Sequence, residues 1–451
     1  MNTHIDLSIL DRLARPTLLH VRQMHSVLTS NGFQCHLVGG CVRDLLLGLS
    51  VQDIDITTDA RPEDVIRLFQ KTIPTGLKHG TVTVLFREDK INYSYEVTTY
   101  RTESTYSDGR RPDKVEYATT IDEDLSRRDF TINAMAMEPV TGELIDNFDG
   151  RHDLENRIIK TIGLPRDRFF EDGLRPVRAC RFKATLGFQI DTATLQAISQ
   201  SDIRSKIQSV AIERFTDELL KGLRSKQPSA MLISLQDTDI FSLFLKGIRY
   251  MPHLFLESID AAQSEVFRLS VWLDRSSTDP IETAKTLRLS GNIIKQIRLY
   301  SLLFRSFETG SLLKYKPNDE KSCIEERIKW RPMLAEIKRQ LQSVEKSTDF
   351  LNESRSFFTG RYSTIGSKAP PHEKYMAALD DHFQWMIKAV KDEPLLITDL
   401  EISGSDLMEL GITGPSVGKA LQFLLEQVYA DHRLNTKKLL LDMIRLHFEK
   451  S

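Results

Sequence analysis

Two aspartates one residue apart are the part of this sequence best suited to chemistry. Asp53 and Asp55 close the segment "LVGGCVRDLLLGLSVQDID", which begins at Leu37. Side chains two residues apart on a strand share a face, so both carboxylates should project together while Ile54 turns to the core. Such close carboxylates repel each other unless a cation lies between them. Mg²⁺ prefers oxygen ligands of this kind together with substrate phosphates, and a pair of ions can serve both the attacking and the leaving oxygen. The pattern therefore predicts a magnesium site, with two ions expected.

A glycine turn and an arginine precede the aspartates. Gly39 and Gly40 leave backbone N–H groups open and allow a triphosphate to approach the chain closely, and Arg43 in the following helix can neutralise phosphate charge. The chain has no G-x-x-x-x-G-K-S/T segment, so binding of the phosphates by a P-loop is excluded. Two aspartates at this spacing, without further signals, usually mark only the polar end of a strand. The neighbouring glycines and arginine favour the catalytic interpretation.

The pattern "LVGGCVRDLLLG…DIDI" resembles the opening motif of the DNA polymerase β superfamily. More narrowly, it resembles that of the bacterial and eukaryotic class (class II) of tRNA nucleotidyltransferases and their poly(A) polymerase relatives. The resemblance implies that Asp53 and Asp55 bind the catalytic metals and that the glycines and Arg43 contact the triphosphate. A third carboxylate often completes such sites from a neighbouring strand. Glu96 in "SYEVTTYR" is the candidate, and an outward, solvated glutamate is the alternative.

A second group of charged residues could select a base. The segment "EDGLRPVRACRF" is predicted to be helical, which makes Asp172 and Arg175 neighbours while Arg178 and Arg181 wind away from them. A carboxylate acceptor beside a guanidinium donor matches cytosine and adenine, whereas uracil and guanine present the reverse order. Unpaired buried polar groups could then give about 10²-fold discrimination. The alternative is a simple salt bridge on a solvated helix face.

Further motifs extend the resemblance from about residue 34 to 230. The segment "EDGLR" with two more arginines matches the family's nucleotide-selecting motif, which implies that Asp172 and Arg175 select CTP and ATP and that Arg178 and Arg181 contact the nucleotide. The segment "RRDFTINAMA" matches a ribose and triphosphate motif through Arg128, Asp129 and Asn133. "FDGRHDLENRIIKTIG" matches the hinge motif, and "ERFTDELLKGL" a helix-stabilising motif in which Glu213 and Arg214 are interpreted as structural.

The elements that must position these residues predict an α+β protein. Strand and helix patterns mix over the first 150 residues, and helical periodicity dominates from about residue 157. We expect a polymerase-β-like nucleotidyltransferase head with a mixed sheet, followed by an all-α neck, body and tail. The expected bounds are 1–150 for the head, 151–230 for the neck, 231–350 for the body and 351–451 for the tail.

Three features suggest contacts with RNA. Residues 102–117 contain the exposed basic pair Arg110 and Arg111, in a region that the resemblance assigns to a loop needed for the final A; a plain hairpin loop is the alternative. Residues 157–183 hold eight basic and three acidic residues, a local charge of +5. In the C-terminal region, the segment "GPSVG" could offer N–H groups of Gly414, Ser416 and Gly418 to a phosphate, although a simple helix start explains it nearly as well.

Bulk composition agrees with a cytoplasmic enzyme. The 451 residues carry a net charge of −2 and four dispersed cysteines, a pattern that favours reduced thiols over a disulfide framework or a zinc site. The sequence contains no run of eighteen apolar residues, so no membrane-spanning helix is predicted. The resemblance described above implies a template-independent enzyme that adds CCA to the tRNA 3′ end from CTP and ATP, and this is the activity that we expect. An A-adding enzyme of a split pair, a poly(A) polymerase and an inactive RNA-binding scaffold are the alternatives. The oligomeric state stays open, with a monomer favoured.

Overall fold

The computed structural model describes residues 3–51, 53–103, 115–308, 320–365 and 372–448. The chain divides into two compact units, Met1–Lys246 and Gly247–Ser451. The first unit contains the sheet and every residue predicted to contact the nucleotide. The second unit is helical wherever the structure assigns a regular element longer than a bridge.

A mixed sheet forms the centre of the first unit. Its strand order is β1-β10-β9-β2-β3-β6-β5-β4. Only β3 and β6 are parallel neighbours within this order; the other neighbours run antiparallel. The strands are β1 (Thr3–His4), β2 (His36–Val38), β3 (Asp55–Thr58), β4 (Thr72–Gly76), β5 (Thr81–Glu88), β6 (Ile91–Thr99), β9 (Ala136–Met137) and β10 (Glu143–Ile145).

Alternating sequence patterns explain the longest strands. In β5 and β6, valines and tyrosines at every second position are buried while their neighbours are more exposed, as expected for a sheet with one covered face. The tight turn between them places Asp89 and Lys90 at φ values of 47° and 69°, the region that primed hairpin turns require. Two further pairs lie outside this sheet: β7 (Arg101–Glu103) with β8 (Val115–Tyr117), and β11 (Ile158–Ile159) with β12 (Gln189–Ile190).

Helices cover the sheet and continue beyond it in the first unit. Those of the sheet region are α1 (Arg15–Ser30), α2 (Gly40–Leu47), α3 (Pro62–Leu68), α4 (Ile121–Ser126) and α5 (Gly150–Glu155), with 3₁₀ turns at Leu7–Arg12, Leu77–His79 and Thr131–Asn133. Those that follow are α6 (Pro165–Glu171), α7 (Arg175–Leu186), α8 (Thr192–Ile198), α9 (Ser201–Gln208), α10 (Ile212–Leu223), α11 (Pro228–Asp237) and α12 (Phe241–Phe244).

One apolar core joins the sheet to the following helices. Buried side chains of α1 and α2 pack with those of β3 and β6, and the same cluster includes Ala179, Phe182 and Phe188 from α7 and the residues after it. The ring of Phe182 lies edge-on to that of Phe130 at 5.7 Å. Helix α7 is therefore fixed relative to the sheet by apolar contacts, which stabilise roughly in proportion to the area they bury.

The second unit consists of helices of very different lengths. They are α13 (His253–Ser258), α14 (Glu265–Ser276), α15 (Pro280–Thr286), α16 (Gly291–Glu308), α17 (Glu320–Leu341), α18 (Val344–Ile365), α19 (His372–Asp392), α20 (Gly404–Glu409), α21 (Pro415–Ala430) and α22 (Lys437–Phe448), with 3₁₀ turns at Ile259–Ala261, Ile397–Asp399 and His432–Leu434. Stacked aromatic rings, such as Tyr300 on Phe350 at 4.1 Å, tie several of them together.

The predicted α+β architecture, a mixed-sheet head followed by helices, is confirmed. Among the described residues, no helix is long and apolar enough to span a membrane. Cys35, Cys41 and Cys180 are buried and not joined in a disulfide.

Two local predictions were wrong. Strand β3 begins at Asp55, so Asp53 lies just before the strand and not on it. The segment from Glu171 to Arg181 is not one helix, because α6 ends at Glu171 and Asp172 is extended, with φ −138° and ψ 110°. Helix α7 starts at Arg175, and Pro176 in its first turn could not have continued an earlier helix without losing a hydrogen bond.

Candidate active site

Three carboxylates meet where β3 begins. Asp55 pairs with Glu96 in the parallel register of β3 and β6, so their side chains leave the sheet next to each other on one face. Asp53 is two residues earlier, and all three line one cavity. Glu96 is exposed on β6, so it avoids the desolvation cost that a buried glutamate would carry. The structure therefore brings together the three residues predicted to be catalytic.

The environment of Asp55 favours a nearby cation. Burial raises the pKa of its carboxyl; Arg128 acts in the opposite direction, and Glu96 and Asp53 add to the rise. A divalent ion would relieve the repulsion among these carboxylates, and carboxylate oxygens are the donors that Mg²⁺ prefers. Within the described residues, no three acidic, histidine or cysteine side chains are grouped closely enough to hold a metal ion by themselves.

The glycine turn lies beside these carboxylates. Gly39 follows β2, the strand next to β3, and has φ +76°, a conformation that side chains rarely adopt. A Cβ there would lie 2.7 Å from a terminal nitrogen of Arg128. Arg43 of α2 donates to the Asn133 side-chain oxygen over 2.6 Å. A Cβ added to Gly40 would lie 3.6 Å from a terminal nitrogen of Arg43. Two guanidinium groups thus lie over the turn.

Asp124 holds Arg128 in this place and was not predicted from sequence. It is fully buried, accepts from Arg128 over 3.1 Å and from Arg127 over 2.8 Å. Burial opposes its ionisation, but both arginines outweigh this and lower its pKa. The only sequence signal is its spacing of three and four residues from those arginines on a short helix.

Asp129 accepts hydrogen bonds from three residues. One carboxylate oxygen accepts from the Phe130 amide over 2.8 Å and from Asn133 over 3.0 Å. The other accepts from Arg178 over 2.8 and 2.6 Å. Burial works against its charge, but Arg178 and Asn133 prevail and hold the pKa well below its ordinary value. Asp129 therefore orients Asn133 and Arg178 within the chain.

The remaining arginines of α7 also have internal partners. Arg181 pairs with Glu218 of α10, and Arg178 is 3.7 Å from the same glutamate. Arg43, Arg178 and Arg181 all lie within 5.5 Å of the centre of the Phe182 ring, a geometry in which cations are attracted to the ring face. Glu218 was not singled out from the sequence, although it lies in the motif interpreted as structural.

Asp172 and Arg175 occupy the break between α6 and α7. One oxygen of Asp172 accepts from the Leu174 amide over 3.0 Å, and the other from Arg214 over 2.8 Å. Arg175, almost completely buried, donates to Glu171 over 2.7 Å and to the Arg127 carbonyl over 2.9 Å. The backbone N–H of Arg175 donates to the Asp172 carbonyl over 3.1 Å, so the two residues share one turn, while their side chains bond to different partners.

The predicted RNA-contacting residues are separate from this site. Arg110 and Arg111 lie outside the described residues. Gly414, Ser416 and Gly418 are exposed at the start of α21 in the second unit, where the first N–H groups of the helix are open.

Two family models match parts of this chain. Residues 35–160 match a family model described as "Poly A polymerase head domain". Residues 187–251 match one described as "Probable RNA and SrmB- binding site of polymerase A", which extends to the start of the second unit.

Similar proteins cover nearly the whole chain. A CCA-adding enzyme of Limosilactobacillus reuteri is 34% identical over 438 residues, 96% of this chain and 95% of the relative. One of Ligilactobacillus salivarius is 41% identical over 293 residues, 62% of this chain and 69% of the relative. The crystal structure of Bacillus stearothermophilus CCA-adding enzyme in complex with CTP has a TM-score of 0.70 at 26% identity and covers 97% of this chain and 100% of its own. This chain therefore belongs to the CCA-adding enzyme family of nucleotidyltransferases.

Proposed function

We propose that this chain adds C, C and A to the 3′ end of tRNA. The terminal hydroxyl of the RNA attacks the α-phosphate of CTP and later of ATP, and pyrophosphate leaves. The observation that carries this proposal is the pairing of Asp55 with Glu96 beside the Arg128 guanidinium, in a chain similar to CCA-adding enzymes over nearly its full length.

Nucleotidyltransferases of this family need divalent metal ions. We propose that Asp53 and Asp55 hold two Mg²⁺ ions and that Glu96 is the third carboxylate. When bound, such ions lower the pKa of the attacking hydroxyl and neutralise charge on the leaving oxygen. The carboxylates of the chain hold the reacting groups in place and keep the local charge balanced. Such catalysis relies mainly on positioning and charge neutralisation.

The glycine turn and the two guanidinium groups above it suit the triphosphate. Gly39 and Gly40 allow close approach of phosphate oxygens, and Arg43 and Arg128 neutralise their charge. Asn133 orients Arg43 through its side-chain oxygen. Asp129 and Arg178 keep Asn133 and α7 fixed relative to each other, and Arg181 anchors α7 to α10 through Glu218.

Asp172 and Arg175 are proposed to select the base. An ionised aspartate accepts from the amino group of cytosine or adenine, and the arginine donates to the adjacent ring nitrogen. Uracil and guanine would leave both groups unpaired or opposed, which costs a few kcal/mol for buried partners. The hydrogen bond from Arg214 to Asp172 supports this role because it holds the carboxylate in one orientation. Each carboxylate oxygen has two lone pairs, so a further lone pair stays available to accept from a base.

RNA contacts are proposed for two regions. Arg110 and Arg111 would contact the RNA end during the final addition. The exposed start of α21, with Gly414, Ser416 and Gly418, would bind a tRNA phosphate through N–H groups at a helix N-terminus.

A poly(A) polymerase is the second candidate, because both matching family models carry that description. The decisive experiment incubates purified protein with tRNA ending at the discriminator base and with single labelled nucleotides. Two additions from CTP followed by one from ATP support the proposal. ATP use only on tRNA ending in CC indicates an A-adding enzyme, and long A tails indicate a poly(A) polymerase. RNA binding without incorporation indicates a scaffold.

A further inference from the structure

The region of α15 and α16 in the second unit exposes positive charge without negative charge. Between Glu282 and Glu308 the sequence holds five basic residues and no acidic one, although the whole chain has a net charge of −2. The five basic side chains are all exposed and are those of Lys285, Arg288, Lys295, Arg298 and Arg305. A surface stretch whose charges share one sign creates a local potential that attracts ions of the opposite sign. This region is therefore a candidate surface for an anionic partner.

Three of these cations lie on one face of α16. Lys295, Arg298 and Arg305 follow one another at steps of three and seven residues, so at about 100° per residue their directions fall within about 80° of one another. Leu302, 39% exposed, lies on the same face between the two arginines. With a rise of about 1.5 Å per residue, the three cations span about 15 Å along the helix. We call Lys295, Arg298 and Arg305 the basic stripe of α16.

The basic stripe has no ionic partner within the part of the chain that the structure describes. Lys285, by contrast, pairs with Glu282 over 2.6 Å. Arg305 is in the last turn of α16 and can interact favourably with the helix dipole. Lys295 and Arg298 are far from that end, and like charges three residues apart on a helix repel each other. Their presence is therefore better explained by recognition of an anion than by stability of the helix.

The opposite face of α16 is fixed in the core of the second unit. The Tyr300 ring stacks on Phe350 at 4.1 Å and meets Phe267 edge-on at 4.7 Å. The Tyr300 hydroxyl donates to Glu353 over 3.1 Å. Because the buried face is held in this way, the backbone positions of the three cations are preset, and a ligand does not have to order the helix when it binds.

The chemistry of the exposed face favours one class of anion. A helix that binds a lipid surface inserts a broad apolar face, whereas Leu302 is the apolar residue that lies within the basic stripe. Proteins that hold single-stranded nucleic acid stack its bases on exposed aromatic rings, but Tyr300 and Phe304 of α16 are buried. The phosphates of an RNA double helix require only cations at suitable spacing. The basic stripe therefore matches the backbone of duplex RNA best.

We propose that the basic stripe of α16 binds the phosphate backbone of a double-helical part of the RNA substrate. Such a contact is independent of base sequence and increases affinity through release of counterions. It takes no part in nucleotide transfer. The stripe lies outside residues 187–251, which match the RNA-binding family model, and it is separate in sequence from the start of α21. The inference rests on the proposed function for the identity of the RNA as tRNA.

The first test removes two cations of the stripe. We expect the double variant Lys295→Gln and Arg298→Gln to raise the Kd for tRNA about tenfold at low salt, and to reduce the slope of log Kd against log salt concentration by about 2. The Kd for CTP and kcat at saturating tRNA should stay within about twofold of wild type. Because both side chains are exposed, urea unfolding should be unchanged.

A matched control separates the stripe from overall charge. The double variant Lys388→Gln and Lys391→Gln also removes two exposed cations three residues apart from a helix of the second unit, α19. It changes the net charge by the same amount, and the Kd for tRNA should change less than about twofold. Equal losses of tRNA affinity in the two double variants would overturn the proposal.

The second test identifies the part of the RNA that the stripe contacts. The probes are a blunt-ended RNA duplex and one of its strands alone. We expect the Lys295 and Arg298 double variant to lose affinity for the duplex by about the same factor as for tRNA, with a smaller loss for the single strand. A loss confined to the single strand overturns the assignment, as does wild-type protein that binds anionic phosphatidylglycerol vesicles more tightly than the duplex.

Failure of the proposed function is distinguishable from failure of this inference. Wild-type protein that incorporates no nucleotide into tRNA contradicts the function, and the binding comparison still decides whether the stripe holds RNA because it requires no transfer. Wild-type protein that adds nucleotides, while the Lys295 and Arg298 double variant binds tRNA and the duplex as tightly as wild type, contradicts only the assignment of the stripe.

Discussion

Among single residues, Asp55 has an electrostatic environment that disfavours its negative charge. Burial and the neighbouring carboxylates of Glu96 and Asp53 raise its pKa against the influence of Arg128. A cation stabilises the charged form of such a carboxyl group. An asparagine at this position has the same shape but no charge, so it would bind that cation poorly. As a proposed metal ligand, Asp55 should therefore affect every addition equally, whichever nucleotide is used.

We expect Asp53→Asn and Asp55→Asn each to reduce transfer from both CTP and ATP by more than about 100-fold, the loss that even an outer partner of a metal ligand can cause. Single-turnover incorporation into tRNA measures this. Glu63→Gln, an exposed carboxylate of α3, is the control. Unequal losses for the two nucleotides, or normal turnover, would show that the metal assignment is wrong.

Asp172 should affect selection more than the chemical step. We expect Asp172→Ala to lower the ratio of kcat/KM for CTP to that for UTP by about 10²-fold. The variant lacks the carboxylate that would face the carbonyl oxygen of uracil without a donor between them. Competition assays with both nucleotides measure this ratio. Asp167→Ala, on the exposed face of α6, should not change it. A ratio that stays constant in Asp172→Ala would mean that the base is selected elsewhere.

At the scale of elements, the break between α6 and α7 presents Asp172. A Cβ on Gly173 would lie 2.3 Å from the Lys206 carbonyl oxygen at the end of α9. Real Cβ atoms do not approach backbone so closely, so the turn can pack here only with glycine. The position of Asp172, the carboxylate proposed to select the base, is therefore set by an element more than 30 residues away.

Gly173→Ala should displace this turn. Overpacking of this kind costs about 1–3 kcal/mol, and we expect that loss in the free energy of unfolding together with a reduced CTP to UTP ratio. Denaturant titration and the competition assay measure the two effects. Gly291→Ala, where nothing lies within 4 Å of the added Cβ, should change neither. A stable Gly173→Ala protein with full selectivity would contradict the role of the turn.

The pair of Asp129 and Arg178 joins the RRDF segment to α7. The lowered pKa of Asp129 means that its charge stabilises the fold above the unfolded-state value of about 3.9, and that this stabilisation is lost as the pH falls toward the folded-state value. We expect Asp129→Asn to cost about 3 kcal/mol near neutral pH, with a difference from wild type that shrinks below about pH 4. Urea unfolding across that pH range measures it; a difference that is independent of pH would contradict the charge pairing.

Sequence patterns predict elements better than they predict the partners of charged side chains. Alternation predicts the hairpin of β5 and β6, and the glycine turn follows from Gly39 and Gly40. By contrast, the resemblance implies nucleotide contacts for Arg178 and Arg181 but says nothing of their partners inside the chain, Asp129 and Glu218. These partners are 49 and 37 residues away along the chain, so only the packing of α7 against its neighbours brings them together.

At the scale of the whole molecule, the low net charge limits long-range attraction of RNA. The chain carries 61 basic and 63 acidic residues, so a tRNA must be recognised through local contacts with its phosphates and shape. The residues proposed to bind the nucleotide lie in the first compact unit, and the exposed start of α21 lies in the second. Binding of the nucleotide and binding of the RNA body can therefore be weakened separately.

Ser416→Glu tests this separation. A negative charge at the start of α21 should repel a phosphate bound by the first N–H groups of this helix, so we expect the Kd for tRNA to rise about threefold to tenfold in low salt, with a smaller effect as screening increases. The Kd for CTP should not change, because its residues belong to the other unit. Ser356→Glu places the same charge on an exposed position of α18 and serves as the control. Equal losses in both variants would indicate that only the overall charge matters; a loss confined to Ser416→Glu would locate a phosphate contact at the helix start.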